Sequence, residues 1–468
     1  MVDTSALFAA LKQLAEPAVV AAIERLVAKG ADTELNRINV LAFAASHGLP
    51  EEATIPAFLQ AAHLGLFEMA WNVLCPGCGG VIEAGASLKF IQQDHYHCTL
   101  CAAGYEPTLD EMVEVAFTVS PRVRTIAAHQ PDRLAPLEYY RQVFFSTGVN
   151  LADDFEARFS EAILEILELA PGERALLSLH LPSEFVLIFD AVTHATQFLD
   201  VRGEVTRQRQ ALSMVITDGH APNDALALRP GPLRLSLENH SSRRVVPNIC
   251  VAGKALHDTL AARRPFLTAK RLLTNQTFRD LYRTETLNID QRLKLASLTF
   301  LFTDLRGSTQ LYDRVGDLVA FDLVRAHFRV LQEIVAAESG AVVKTIGDAV
   351  MATFPSPDKG VAAALKMREA MNRLNSEHHC EDFLLKIGVH EGPCLAVTLN
   401  DRQDYFGQTV NIASRVQAIA DQHAILATAS VVDDEGVRGL LRDSGMELVR
   451  RAAVIRGVER DVPVYALK

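Results

Sequence analysis

Between residues 298 and 389 the chain alternates strand and helix periods in an order that leaves few folds open. A strand at 298–302 leads into a helix whose apolar residues Val324, Phe328, Leu331 and Val335 recur at helical spacing. Two strands follow, 341–345 and 349–354, joined at Gly347-Asp348. A second helix sets Ala364, Met367, Met371 and Leu374 on one face, and a strand at 384–389 closes the series. The order βαββαβ predicts a ferredoxin-like antiparallel sheet with its helices on one side.

Two carboxylates fall at the ends of those strands. Asp304 ends the first, and Asp348 lies in the tight turn between the next two, so neighbouring strands can hold them side by side. Paired carboxylates suit two divalent metals about 3.5–4 Å apart, a geometry for in-line phosphoryl displacement. Mg²⁺ and Mn²⁺ prefer such oxygen ligands. After Asp304 comes Leu-Arg-Gly-Ser-Thr and a helix, so backbone N–H groups around Gly307, Ser308 and Thr309 can receive phosphate oxygens. Taken singly, Asp304 is more often a helix cap or solvated turn residue than a ligand, and Asp348 more often a turn residue, because aspartate is favoured in both places for local hydrogen bonding.

The combination is more specific. FTDLRGST (302–309), VKTIGDAVMATF (343–354), GVHEGP (388–393) and FGQTVNIASR (406–415) follow in order, and residues 292–468 resemble the catalytic domain of class III adenylyl and guanylyl cyclases. The resemblance implies that Asp304 and Asp348 are metal ligands and that Lys344 contacts the purine. Lys344 precedes Asp348 by four residues, and period two would put both on one face of a strand. An ammonium donor suits N1 of adenine, whereas guanine N1–H calls for an acceptor; lysine here favours ATP. The resemblance further implies that Asn411 orients the ribose, that Arg415 stabilises charge on the α-phosphoryl, and that Arg456 stands where the family has a phosphate-binding lysine. The stretch from His390 to Gly407 is shorter than in many relatives and lacks their glycine-rich turn. Aligned back from Gly407, Asp404 falls where adenine-specific relatives place an acceptor for the purine amino group; aligned on the Asp-Tyr pair, the position shifts by a gap. The expected activity is conversion of ATP to cyclic AMP and pyrophosphate with two Mg²⁺ or Mn²⁺ per site. The family builds that site between two subunits, and this chain carries both residue sets, so a homodimer is implied.

The N-terminal half has a different signature. Cys75-Pro-Gly-Cys78 and Cys98-Thr-Leu-Cys101 are separated by nineteen residues, the spacing of a zinc ribbon. Redox chemistry or free thiols are the alternatives, and His95 and His97 are nearby substitute ligands. Around the ribbon we expect an α+β multidomain chain. Residues 1–72 form a helical unit, either a small helical or a winged-helix-like one; 73–109 the ribbon; 110–255 a regulatory antiparallel β-sandwich, with an inserted helix over 154–169; 256–291 a helical linker; and 292–468 the catalytic domain. The linker reads either as a transmitter or as a plain connecting helix.

A net charge of −11 offers no footprint for a polyanion. No secretory signal or membrane span is legible, and unpaired CxxC chemistry suits a reducing compartment, so a cytoplasmic protein is expected. Two rival functions stay open: a zinc-ribbon sensor of nucleic acid or a protein partner with an inactive cyclase-like domain, and a guanylate cyclase.

Overall fold

The computed structural model describes residues 4–151, 155–218, 224–283, 287, 291–305, 313, 315–377, 384–399, 402–421, 424–451 and 462–468. They divide into two compact units. One comprises Met1–Ala86, Gln93–Pro107 and Met112–Leu267; the other is built from Thr268–Lys468 together with Ser87–Gln92 and Thr108–Glu111. Among the described residues, no helix is long and apolar enough to cross a membrane.

The first unit opens with four helices, α1 (Thr4–Leu14), α2 (Pro17–Lys29), α3 (Val40–His47) and α4 (Glu51–His63). Proline starts α2, where its missing N–H costs nothing, and Val19, Val20, Ile23 and Val27 form its buried stripe. The chain then enters β1 (Phe67–Leu74), flanked in an antiparallel sheet by β2 (Val81–Gly85) and β5 (Val113–Val119). Between them β3 (Tyr96–Cys98) and β4 (Ala103–Tyr105) make a small hairpin. On β5 the fully buried carboxylate of Glu114 is satisfied by Arg37 at 3.2 Å, Asn72 at 2.9 Å, and the Thr147 hydroxyl and N–H at 2.7 and 2.8 Å. Such a charge is tolerated inside because every lone pair has a donor.

Next come a short α5 (Pro136–Tyr139), α6 (Phe155–Ala162) and β6 (Ile163–Ile166). The strands that follow are β7 (Arg174–Leu181), β8 (Phe185–Asp190), β9 (Thr196–Val201), β10 (Gln210–Ile216), β11 (Leu226–Leu228), β12 (Gly231–Asn239) and β13 (Pro247–Val251), after which comes α7 (Lys254–Ala261). Two sheets result, β10-β12-β7 and β11-β9-β8-β13-β6, whose facing side chains share one core of Leu233, Leu235 and Leu237 with Val186, Ile188 and Leu199. The far side of the larger sheet is covered by an aromatic cluster of Tyr140, Phe144, Phe155, Phe159 and Phe189. Two corrections follow. The sandwich is not wholly antiparallel, because β10 pairs β12 and β11 pairs β9 in parallel; alternate burial is the same for either direction. The helix expected over 154–169 ends at Ala162 and yields to β6, where the β-branched Ile163 and Ile166 favour extended backbone.

The second unit begins with α8 (Ala269–Leu273) and α9 (Gln276–Leu281). The linker is therefore not one helix: Pro265 stands between α7 and α8, and the chain is non-helical there. The rest runs β14 (Leu293–Leu305), α10 (Asp317–Ala337), β15 (Ala341–Ile346), β16 (Ala349–Phe354), α11 (Pro357–Glu377), β17 (Leu385–Leu399), β18 (Arg402–Phe406), α12 (Gln408–Ala418), β19 (Ile425–Thr428), α13 (Ala429–Val432), α14 (Glu435–Asp443), β20 (Leu448–Arg451) and β21 (Val464–Leu467). The βαββαβ order is present, with sheet order β15-β16-β14-β17-β19-β21-β20 and β18 paired to β17. Ala320, Val324, Leu331 and Val335 of α10 and Met367, Met371 and Leu374 of α11 bury against Leu301, Val350, Phe354 and Val389 of the sheet. Each large apolar side chain so covered contributes about 1.5–3 kcal/mol. Ser87–Gln92 and Thr108–Glu111 are tied into this unit: Gln291 Nε2 donates to Leu88 O at 2.9 Å, Lys270 pairs with Asp110 at 3.0 Å, and Leu109 N donates to Lys294 O at 3.0 Å.

Candidate active site

Asp304 and Asp348 are brought together by strand pairing. Thr303 is opposite Val350 in the β14–β16 ladder, and its hydroxyl accepts from Val350 N at 3.2 Å. One step further, Asp304 comes alongside Ala349 and the adjoining Asp348. Asp348 sits in the two-residue turn after β15, which Gly347 enters at φ 63°, a left-handed angle that glycine adopts without strain. Burial and, next, the negative charge of Asp348 push the Asp304 carboxyl above its usual range; Lys386, opposite it on β17, and a hydrogen bond with Gln417 act the other way. A carboxyl whose proton affinity is raised beside a second carboxylate marks a site a divalent cation would satisfy. His327 of α10 is buried behind the turn, with a backbone hydrogen bond to Asp348, and burial lowers its pKa to about 4.

Lys344 and Asp404 form the second constellation. Lys344 is on β15 and Asp404 on β18, yet Lys344 Nζ lies 2.5 Å from Asp404 Oδ2. The Lys344 side chain is 43% exposed and that of Asp404 10%, so the lysine head stays accessible while the carboxylate is seated from behind, its Oδ1 accepting from Tyr405 N at 2.8 Å. Tyr405 is itself buried edge-on against Phe300 at 5.6 Å. The expectation that strand periodicity sets Lys344 and Asp348 on one face does not hold. β15 ends at Ile346 and Asp348 is in the turn beyond it, so strand alternation does not relate the two side chains.

The third element is α12, which carries Asn411 and Arg415 one turn apart, the first exposed and the second half-buried. The helix lies unusually close to β17. A Cβ on Gly388 would come within 2.2 Å of Gln417 N, and one on Gly392 within 3.0 Å of Thr409 Oγ1. The two glycines of GVHEGP thus serve helix packing, and by admitting α12 they put Gln417 against Asp304. Gln417 and Lys386 escaped the sequence reading. The signal available for them was the glycine pair, which demands a close neighbour, and the strand register opposite Asp304. Gly307, Ser308, Thr309 and Arg456 lie outside the described residues.

In the first unit the four cysteines converge. Their Sγ atoms all lie within 4.8 Å of one another, with Cys75 and Cys101 at 3.6 Å and Cys78 and Cys98 at 3.7 Å. Tetrahedral Zn²⁺ with Zn–S of about 2.3 Å requires S···S edges near 3.8 Å. Hydrogen bonding from Cys101 and its neighbours holds Cys75 far below the ordinary thiol range, while the same neighbours push Cys78 far above it. Four thiols this close cannot ionise together without a cation to balance them. His95 and His97 are exposed and outside the cluster.

Residues 1–280 match a family of unknown function, DUF5939, and residues 292–465 match the adenylate and guanylate cyclase catalytic domain. An adenylate cyclase of Anabaena cylindrica is 26% identical over 186 residues, covering 36% of this chain and 36% of its own length. An adenylate cyclase of Streptomyces coelicolor is 32% identical over 147 residues, covering 31% of this chain and 35% of its own. The match thus spans about a third of the length of these curated relatives. The crystal structure of the adenylyl cyclase CyaB from P. aeruginosa aligns at 22% identity over 38% of this chain and 96% of that one, with a TM-score of 0.34.

Proposed function

Since the chain belongs to the DUF5939 family and residues 292–465 are a class III cyclase catalytic domain, we propose that it is an adenylate cyclase, forming 3′,5′-cyclic AMP and pyrophosphate from ATP at sites shared by two copies of the chain. The observation that carries the choice of ATP is the Lys344–Asp404 pair at 2.5 Å. Adenine offers an acceptor at N1 beside a donor amino group, and an ammonium beside a carboxylate is the complement; guanine presents the reverse. Without nucleotide the two side chains satisfy each other.

In this reading the catalytic region is ferredoxin-like, and Asp304 and Asp348 hold two Mg²⁺ or Mn²⁺. Bound there, the cations supply charge neutralisation and a more acidic ribose 3′-hydroxyl. The 3′-oxygen attacks the α-phosphorus as the bond to the pyrophosphate oxygen breaks. Asn411 orients the ribose. Arg415 offers a guanidinium fork to the charge that grows on the α-phosphoryl oxygens. Gly307, Ser308, Thr309 and Arg456 receive the remaining phosphates. The cysteine cluster holds a structural Zn²⁺, and residues 1–72, 73–109, 110–255 and 256–291 act as regulatory and connecting parts of a cytoplasmic protein.

The test is cyclic nucleotide production by the full chain with ATP or GTP and Mn²⁺ or Mg²⁺. Cyclic AMP from ATP that disappears in Asp304→Ala is expected; product from GTP at equal efficiency would overturn the base reading. Mixing inactive Asp304→Ala with inactive Arg415→Ala tests the shared site. Heterodimers would each regain one intact site, restoring about a quarter of wild-type activity, whereas no recovery would refute it.

A further inference from the structure

Arg279 of α9 lies ahead of the stretch matched by the catalytic-domain family. Its Nη2 donates to two backbone carbonyls at once, Val343 O at 3.3 Å and Gln403 O at 3.0 Å. Those residues immediately precede Lys344 and Asp404. The strands concerned, β15 and β18, are not neighbours in the sheet, since one pairs with β16 and the other with β17. No ladder sets the distance between them; a side chain from α9 bridges it.

The local chemistry explains why this works. Val343 is the extra residue of the β15 bulge, without a cross-strand partner in the register, so its carbonyl is available. Gln276 Oε1 accepts from Val342 N at 2.8 Å and fastens the same bulge one residue earlier. The helix itself is held by Asn275, whose side chain accepts from Phe278 N at 3.2 Å, and by Phe278, which is 1% exposed and stacks on Tyr282. A charged donor to two carbonyls is among the stronger neutral-partner arrangements available to a side chain.

We infer that Arg279 is a positioning residue for base selection: its guanidinium, clamped on the Val343 and Gln403 carbonyls, sets the separation of the two strands that carry Lys344 and Asp404. The inference rests on those two residues reading the purine. It makes α9, the last helix within the DUF5939 match and part of the same compact unit as the catalytic domain, a lever on substrate choice. A shift of α9 would change the spacing of the Lys344–Asp404 pair before it disturbed Asp304 and Asp348.

The experiment compares the full-length Arg279→Ala, Arg279→Lys and Lys344→Ala/Asp404→Ala variants with the wild type. The readouts are kcat and KM for ATP and GTP, and amide hydrogen exchange in peptides covering 341–346 and 402–406. The Arg279→Ala change is expected to speed exchange in both peptides, raise KM for ATP more than it lowers kcat, and cut the ATP-to-GTP preference about tenfold or more, within the roughly hundredfold that a misplacement of about 1 Å can cost. Arg279→Lys, with charge but no fork, falls between. Unchanged exchange, or an equal fall in kcat for both nucleotides at an unchanged preference, overturns the clamp. If the Lys344→Ala/Asp404→Ala variant itself keeps the wild-type preference, the base reading fails and the specificity role of Arg279 fails with it, whatever the exchange shows.

Discussion

Replacing Gly388 by alanine adds one methyl group to β17 where the chain has no space for it. The new Cβ would stand 2.2 Å from Gln417 N and 2.6 Å from Gln417 Cα, backbone atoms of α12 that no rotamer change can move. Raising 2.2 Å to the 3.4 Å where ordinary contact begins opens the strand–helix gap by about 1.2 Å. That displacement passes to the helix carrying Asn411 and Arg415. A misplacement of about 1 Å at a reacting centre costs about a hundredfold in rate, or roughly 2.7 kcal/mol of barrier, and overpacking costs about 1–3 kcal/mol of stability. Steady-state cyclase assays would therefore show kcat about a hundredfold lower, while the melting temperature falls only by a few degrees. Gly439→Ala, on α14 with nothing within 4 Å of the added Cβ, is the control and should leave both unchanged or gain slightly in stability. A Gly388→Ala enzyme with kcat within about threefold of wild type would show that α12 need not lie so close, and the argument from packing to rate would fail.

Metal analysis should find one zinc per chain, lost in Cys98→Ser, with the first unit melting about 10 °C lower or more; wild-type protein free of zinc and indifferent to chelators would exclude the site. Glu114→Ala takes the carboxylate from the largely covered Arg37 guanidinium, which keeps only the Val143 and Phe145 carbonyls, and should cost about 3–5 kcal/mol in urea unfolding, against under 1 kcal/mol if the network were incidental. His390 is 8% exposed and shares a 2.8 Å hydrogen bond with Thr428, and burial lowers its pKa from 6.5 to about 4. The unfolded chain therefore takes up the proton first: the contribution is intact above pH 6.5 and is lost as pH falls towards 4, by about 3–4 kcal/mol in all. Urea titrations of His390→Gln should show a correspondingly flatter pH dependence over that window, and an unchanged slope would contradict the assignment.

What could be read from the sequence was whatever repeats with a period or recurs as a motif. The stripe Val324, Leu331, Val335 and the alternation Leu233, Leu235, Leu237 are both buried as their spacing requires. Asp304 and Asp348 meet because a hairpin and its neighbour must bring them together. Less legible were features set by pairing between distant segments. Alternating burial carries no strand direction, so the parallel partners of β10 and β11 went unseen, and β15 stops at Ile346, so period two does not reach from Lys344 to Asp348. Asp404 could be placed beside Lys344 only by choosing an alignment, since their meeting is a contact across sixty positions of chain. Arg279 stood among several arginines with no periodic mark to separate it.

The two short segments that Ser87–Gln92 and Thr108–Glu111 contribute to the catalytic unit bear on how such a chain can be inherited and cut. A recombination event or an expression vector that begins at the apparent catalytic boundary, near residue 292, leaves Lys294 O without Leu109 N and Ala296 N without Asp110. The exposed ladder edge and orphaned carbonyls would favour aggregation. The transferable module therefore starts well upstream of residue 292, and a transplant of it has to carry those two threads or supply others in their place.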